Sequence, residues 1–555
     1  MCELFGELPD PFDGRGSAQR RAKANLGKGS VTGSGNERSY RCPACGKHNV
    51  LKSNLAIAEE YTRLIKIYSR TNLVHCPSHT CENYEKCLPT HAESYRKYGV
   101  TAKGDARYQC KACRKVFSVG KPNRRHKRKD LARKVLRSLM NGMTLSAISR
   151  VQDVHIEDVY RKIDFLNEQC LQFAAEREKA LPECFAGGQP HFATDTQMLM
   201  VNWSDSGIRK QVEVRHTCTV HRDTGFVVAA TTDVDPDISG FVQEEMAAIR
   251  GELTLPKSMR DNSRIWFASD YVDYIRRRYD SIRKEHHENA SGMSHEDLLL
   301  RSGRVFQDVA DYAHVMLVKS KIGSDYNRLN LTTDRDSGLS QAVCAIYKDL
   351  IAENVVSVAD VTIDKNTTND YRLRLVQDGR QNLETVQMHM AVSEFVADQS
   401  MDDYFNSTNH AVQYLLSDLK KSQGSDEFRR ILMEDGFSYP FHFVNEPNKR
   451  VFFRTDPRLL SDAQLAQFII KSGTHAVDTY HARARYKIMG FERGLSPGRA
   501  GGLYYYKQYY DPTRVMKIVN ILRFAHNYMD LLNDKVSPAT KLGLTKGFIY
   551  DRDLT

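Results

Sequence analysis

The chain has 555 residues, 41% of them hydrophobic, and a formal net charge of +11 at pH 7. That is enough apolar material for roughly three to four domains, and too much for a disordered tail. No basic segment leading into an apolar stretch stands at Met1 and no apolar run approaches the ~18 residues of a membrane span, so we expect a cytoplasmic protein with no membrane partner. The positive balance, with a pI near 8.9, favours an anionic partner only where the excess is clustered.

Residues 1–40 are rich in Gly, Ser, Asn and Arg with no hydrophobic period, and read as a flexible, mildly basic arm. Of twelve cysteines, seven lie between Cys42 and Cys113, which in a reducing compartment argues for metal rather than disulfides. Within this zinc-binding region, 41–120, the pairs Cys76-Pro-Ser-His-Thr-Cys81 and Cys110-Lys-Ala-Cys113 suit the tetrahedral preference of zinc, with Phe117 expected to pack over the second knuckle. Cys42 and Cys45 form a further knuckle whose partners, among Cys87, His75, His79 and His48, stay open.

A dense positive run, Lys121 to Lys129, follows and includes Arg124, Arg125, Lys127, Arg128 and Lys129. Leu131, Val135, Leu136 and Leu139 then mark an amphipathic helix ended by Asn141-Gly142. Thr144 can cap a second helix through Ile148, and a third spans Ile156 to Leu166. Over 121–175 this predicts a helix-turn-helix unit. Its last helix would enter the major groove of double-stranded DNA with Tyr160, Arg161 and Lys162 among its exposed residues, while the basic run supplies phosphate contacts.

The stretch His191–Val201 is β-rich but carries Asp195 where a buried strand would carry an apolar residue. Two strand-like segments follow, Gln211–His221 and Gly225–Thr232, then a helix over Ser239–Gly251. After about 75 charge-rich residues come a strand Leu329–Asp334, a helix Ser340–Ile351 and a strand Val355–Ile363. Three meandering strands, a helix, then strand, helix and strand read as an RNase H-like fold, whose metal-binding acids lie at strand ends. We therefore expect a multidomain α/β protein: zinc ribbon and helix-turn-helix, then an RNase H-like core beginning over 187–375. A largely helical insertion at 376–472, with a possible strand at Val451–Arg454, and a last catalytic helix with the C-terminal segment at 473–555 complete it.

Phosphoryl transfer on a nucleic acid by two divalent ions about 3.5–4 Å apart needs carboxylates from separate elements converging on one point. Asp195, Asp334 and Asp478 meet that need, and hard oxygen ligands favour magnesium or manganese. Their spacings, 139 residues (334 minus 195) and 144 (478 minus 334), require inserted subdomains, and Asp270 or Asp336 are the alternatives to Asp334. Glu492 lies 14 residues beyond Asp478, about 21 Å along a helix, so both cannot serve one metal pair. His481 and Arg485 share a helical face with Asp478 at offsets of three and seven; we place Arg485 at a phosphate or a carboxylate.

Three stretches resemble the DDE transposases of bacterial insertion sequences. Arg107-Tyr-Gln-Cys-Lys-Ala-Cys-Arg-Lys-Val-Phe-Ser118 followed by a helix-turn-helix is similar to their amino-terminal knuckle. Asp478 followed by Arg485, Arg493 and Ser496 is similar to their last catalytic helix, with Asp in place of the usual Glu. Asn520-Ile-Leu-Arg-Phe-Ala-His-Asn-Tyr528 and Ser537-Pro-Ala-Thr-Lys-Leu-Gly-Leu544 are similar to their closing segment. The resemblance implies binding of element ends, metal-dependent strand cleavage and transfer, a homo-oligomer on DNA and association with the bacterial nucleoid. The other readings of the same residues are a DNA-binding regulator without catalysis, and a metal-dependent nuclease or resolvase that does not integrate.

Overall fold

The computed structural model describes residues 30–32, 39–41, 48–50, 52–69, 74–84, 86, 88, 91–102, 104–120, 126–202, 211–255, 257–271, 303–335, 337–364, 366–392, 408–492, 507–530 and 535–554. The expectations for Cys42, Cys45, Cys87, Arg124, Arg125, Asp336, Arg493 and Ser496 fall outside them. The protein is mixed α/β, and among the described residues no helix is long and apolar enough to cross a membrane.

A small antiparallel sheet, β1 (Ser30–Thr32), β2 (Ser39–Arg41) and β3 (His48–Val50), precedes helix α1 (Asn54–Tyr68), whose first turn is capped by the Ser53 hydroxyl accepting from Ala56 N. A second antiparallel sheet follows: β4 (Tyr95–Val100), β5 (Ala106–Cys110) and β6 (Val116–Val119). Then come α2 (Leu131–Met140), α3 (Leu145–Gln152) and α4 (Ile156–Glu178). Local chemistry sets these boundaries. Gly142, at φ +76°, lets Met143 N bond back to Ser138 O at the end of α2, and Thr144 Oγ1 caps α3 by accepting from Ala147 N at 3.2 Å. The third helix runs twelve residues past Leu166, because Cys170, Leu171, Ala174 and Ala175 continue its buried stripe.

The main sheet is built around an antiparallel meander of β7 (His191–Asn202), β8 (Gln211–His221) and β9 (Val227–Thr232). β10 (Val234–Asp235) pairs with β11 (Gly303–Arg304) beside it. β12 (Leu329–Asp334) lies parallel to β7, and β13 (Val356–Thr362) parallel to β12. β14 (Phe437–Ser438) and β15 (Arg450–Phe453) extend the far side in antiparallel fashion, giving seven strands in the order β14-β15-β13-β12-β7-β8-β9. The insertion thus donates two strands to the sheet. Its helices α7 (Asn369–Val392), α8 (Thr408–Gln423) and α9 (Asp462–Lys471) surround a separate core of Val412, Leu416, Phe428, Phe453 and Phe468.

The helix linking β9 to β12 across the sheet is α5 (Gln307–Ile322), not the expected Ser239–Gly251 segment. The latter forms a helix over Gly240–Ile249 that keeps Val242 and Ile249 exposed. The polar content of α5 disguises it. Asp311 and His314 are fully buried, but Arg215 donates to Asp311 while His314 bonds Thr219 and Thr231 at 2.8 Å each. Asp270, the alternative to Asp334, does not lie on a strand: in its segment Ile265 makes a single bridge to Val305, and Asp270 itself is held by Arg260.

α6 (Ser337–Ile346) connects β12 to β13, α10 (His475–Lys487) packs on β7 and β8, and α11 (Pro512–Phe524) lies along α4 and β9. One hydrophobic core runs from Leu131 in α2 through the sheet to Val515, Ile518 and Leu554, so the three-helix unit is packed onto the sheet rather than tethered to it. The closing segment works at the edge of the sheet. Asn527, fully buried, accepts from Val227 N at 2.8 Å and donates to Val227 O at 2.9 Å, and Arg523 donates to the Val227 and Val228 carbonyls at 3.0 Å. The Glu178 carboxylate pairs with that guanidinium through one oxygen and with the Lys321 ammonium through the other. Asn527→Ala is expected to strand the Val227 N–H away from water and to destabilise the fold by about 1–3 kcal/mol. A urea midpoint equal to that of the parent would rule this account out.

Candidate functional site

Side chains alternate along β7. Thr194 and Thr196 face α5 and bond across to Thr219 and Thr217 at 2.8 and 2.9 Å. Asp195 and Gln197 therefore point to the opposite face, together with their cross-strand partners Cys218 and His216. That is the face covered by α10. Asp334 joins them through the parallel pairing: the last registered pair of β7 and β12 is Thr194 with Thr333, so the next residues along both strands are Asp195 and Asp334. From α10, His481 Nδ1 lies 3.6 Å from Asp195 Oδ2, and Arg485 Nη1 donates to Gln197 Oε1 at 2.7 Å. Asp478 is in the first turn of α10, one helical turn before His481, and accepts from the Thr474 hydroxyl at 2.6 Å. All three acids are partly open to solvent.

Their oxygens are not gathered as tightly as a single-ion site. Among the described residues, two groups bring three or more metal-capable atoms within 4.8 Å of one another, Cys76/Cys81/Cys110/Cys113 and His216/Cys218/His481, and the carboxylates are not among them. The acids thus share a face and a neighbourhood, spread along a strand pair and a helix. Asp270 is removed from consideration there by its buried pairing with Arg260.

The cysteine group is a compact centre. Cys76 Sγ lies 3.4 Å from Cys113 Sγ and Cys81 Sγ 3.6 Å from Cys110 Sγ, close to the ~3.8 Å edge of a tetrahedron with zinc–sulfur bonds of ~2.3 Å. The Cys110–Cys113 knuckle is the turn between β5 and β6, completed by Arg114 at φ +63° donating its N–H to Cys110 O at 3.0 Å. Asn83 buttresses both pairs, its backbone N–H on Cys81 Sγ and its side-chain amide on Cys110 Sγ at 3.3 Å. Tyr95 pins the first loop by accepting from Cys76 N and donating to Asn83 O, and Phe117 packs edge-on against Tyr95. Burial pushes the Cys76 thiol up to about 12. At Cys110 burial is outweighed by the Cys113 N–H, the Asn83 amide and the Ala112 N–H, and the thiol falls to about 6. Four sulfurs so placed can hold a metal such as zinc, whose charge relieves the repulsion among their thiolates.

The helical unit turns fewer of its expected residues outward. Lys127, Arg128 and Lys129 are exposed, but Arg128 also donates to the Gln152 and Asp153 carbonyls at the end of α3. Tyr160 is half-buried under the Arg514 guanidinium, Arg161 is paired with Asp158 and Glu157, and Lys162 is partly buried, which lowers its pKa. Sequence reasoning missed His216 and Cys218 as neighbours of Asp195. Their alternation opposite Gln197 and Asp195 was the available signal.

Freshly reduced protein is expected to carry one zinc, released in Cys110→Ser while the main sheet stays folded. Zinc-free parent protein in metal analysis would contradict the centre. Set against known proteins, the chain matches no family model and no curated protein sequence.

Proposed function

We propose that the protein is a DDE-type DNA transposase with an RNase H-like catalytic core. In this reading the zinc ribbon and helix-turn-helix bind the ends of a mobile element, and Asp195, Asp334 and Asp478 serve strand cleavage and transfer. The observation that carries the reading is the register of β7 and β12, which sets Asp195 beside Asp334 on adjacent parallel strands, under the helix that bears Asp478. The meander β9-β8-β7 followed by parallel β12 and β13 supports the core assignment, and the resemblance of the knuckle and the closing segment supports the family.

The donor types suit magnesium or manganese: three carboxylates from separate elements, hard oxygens partly open to solvent, which among the described residues do not by themselves form a group within 4.8 Å of one another. Bound by these acids, the ions would supply Lewis-acid activation of water and then of a 3′-hydroxyl, and would offset charge on the phosphate. The chain's own residues orient the acids. Thr474 donates to Asp478, His481 faces Asp195, and the Asp334 carboxylate accepts from Arg335 N at 2.7 Å. Lys127, Arg128 and Lys129, with Arg124 and Arg125 in the same run, supply phosphate contacts whose strength falls with salt.

Asp195→Asn, Asp334→Asn and Asp478→Asn are each expected to abolish magnesium-dependent cleavage and joining of element ends while leaving DNA affinity within about twofold, because Asn keeps the shape and loses the charge. Asp270→Asn is the active control. Cleavage by Asp195→Asn at the parent rate would discard the catalytic reading and leave a DNA-binding regulator. Alanine at Lys127, Arg128 and Lys129 together should weaken binding to many DNA sequences alike and flatten the salt slope by about 0.9 for each phosphate that is no longer neutralised.

A further inference from the structure

The sheet beside the cysteine centre packs on one face only. Side chains alternate along β4 and β5, so Tyr95, Tyr108 and Cys110 share the inner face, where both tyrosine rings meet Phe117. Arg96 and Arg107 stand on the outer face, and the Arg107 guanidinium lies 5.4 Å from the centre of the Tyr98 ring, which holds it in one direction. Tyr98 is 47% exposed and Val100 68% exposed, so this face is open to solvent. Gly99, at φ +85°, sits in the register shift between Lys97 and Val100, a bulge that adds twist to the ribbon.

The charges on the sheet are one-sided. From His91 to Val119 there are seven Lys or Arg against two Asp or Glu, and the basic run Lys121 to Lys129 follows at once. Among the described residues no acid pairs with Arg96, Arg107, Lys111, Arg114 or Lys115. Helix α4 is the opposite case. Its exposed positions Glu157, Arg161, Asp164 and Glu168 fall on one stripe; three of them are acidic, and Arg161 is paired with Glu157 and Asp158. Phosphates on both sides of a groove would repel that stripe.

We infer that the outer face of the zinc-binding sheet, in place of α4, reads base sequence in the major groove of duplex DNA, with Arg96 and Arg107 each taking one guanine. This deepens the DNA-binding part of the transposase reading and rests on it. A β-ribbon fits the major groove, ~12 Å wide, and the arginine fork matches guanine O6 and N7. Arg96 lies opposite Gln109, and Arg107 is two residues along from Gln109. The two arginines are thus diagonal neighbours, roughly 7–8 Å apart at the backbone, or about two base steps of ~3.4 Å. Lys111, Arg114 and Lys115, exposed at the β5–β6 turn, hold phosphate. Charge complementarity selects a polyanion, and duplex is favoured over single strand because Tyr98 is engaged in orienting Arg107, whereas a single strand needs several free aromatic faces along its path.

The test uses the zinc-loaded full chain to select duplexes from a random-sequence library, then compares the selected duplex with a shuffled one of equal composition by fluorescence anisotropy. Arg96→Met and Arg107→Met are each expected to weaken binding of the selected duplex about 10- to 100-fold, with the shuffled duplex changed by less than about threefold. Arg107→Lys should not restore the preference, because the ammonium keeps the charge and loses the fork. Methylation of guanine N7 should interfere at two guanines, one insensitive in each Met variant. Glu157→Ala with Arg161→Ala should leave the preference intact. Unchanged zinc content in the variants excludes unfolding of the sheet. A preference that survives in both Met variants, one that is lost in the α4 variant, or tighter binding of the single strand would each overturn the inference; so would selection of no duplex at all, which would leave the face to an acidic protein. Sequence reading by these arginines in a chain that never cleaves DNA with magnesium would overturn the transposase reading and leave the inference standing. Cleavage by Met variants that discriminate as the parent does would do the reverse.

Discussion

Everything at the candidate site depends on the register of β7. Eleven successive residues of that strand, Phe192 to Asn202, pair with β8, while its first four, His191 to Thr194, pair with β12. A slip of one residue would send Asp195 and Gln197 into the packed helix α5 and turn Thr194 toward α10. The threonine ladder of Thr194, Thr196, Thr217 and Thr219, tied to His314, opposes such a slip because each hydroxyl is satisfied in only one register. The acids are therefore held in place partly from the face they do not occupy.

Much of this was legible in the sequence, and for physical reasons. The strands Gln211–His221 and Leu329–Asp334 coincide with the observed elements, because β-branched residues between turn signals leave little alternative. Arg450–Phe453 is a strand where Val451–Arg454 was expected. The order of acids along strand, strand and helix was legible too, as was the cysteine pairing, where spacing and geometry are nearly the same statement. What failed was judging burial from polarity. Helix α5 looked like part of a charged insertion, although its Asp311 and His314 are buried against Arg215, Thr219 and Thr231, partners that lie about 80 to 100 residues away along the chain. Cys218 carries no mark of its own in the sequence, and the pairing of β7 with β8 is what sets it opposite Asp195.

The three-helix unit illustrates a different limit. Periodicity and capping located α2, α3 and the start of α4, but could not say that α4 continues to Glu178 and ends on Arg523 and Lys321. That ion cluster and the pairing of Arg137 with Asp551 join the unit to the end of the chain at two separate places. A rigid helix shared between the unit and the sheet core is a direct mechanical link from the one to the other. Load placed on the exposed end of α4 is borne by β9 and α11.

The two margins of the large sheet are both closed, by different means. At one, Asn527 and Arg523 occupy the polar groups of Val227 and Val228 that another chain would need. At the other, β14 offers only Phe437 and Ser438 before the chain turns away. Strand addition between copies, the route to domain exchange and fibril growth, thus finds no long template at either margin. Contacts made away from these two margins can form and separate without disturbing the register that aligns the acids.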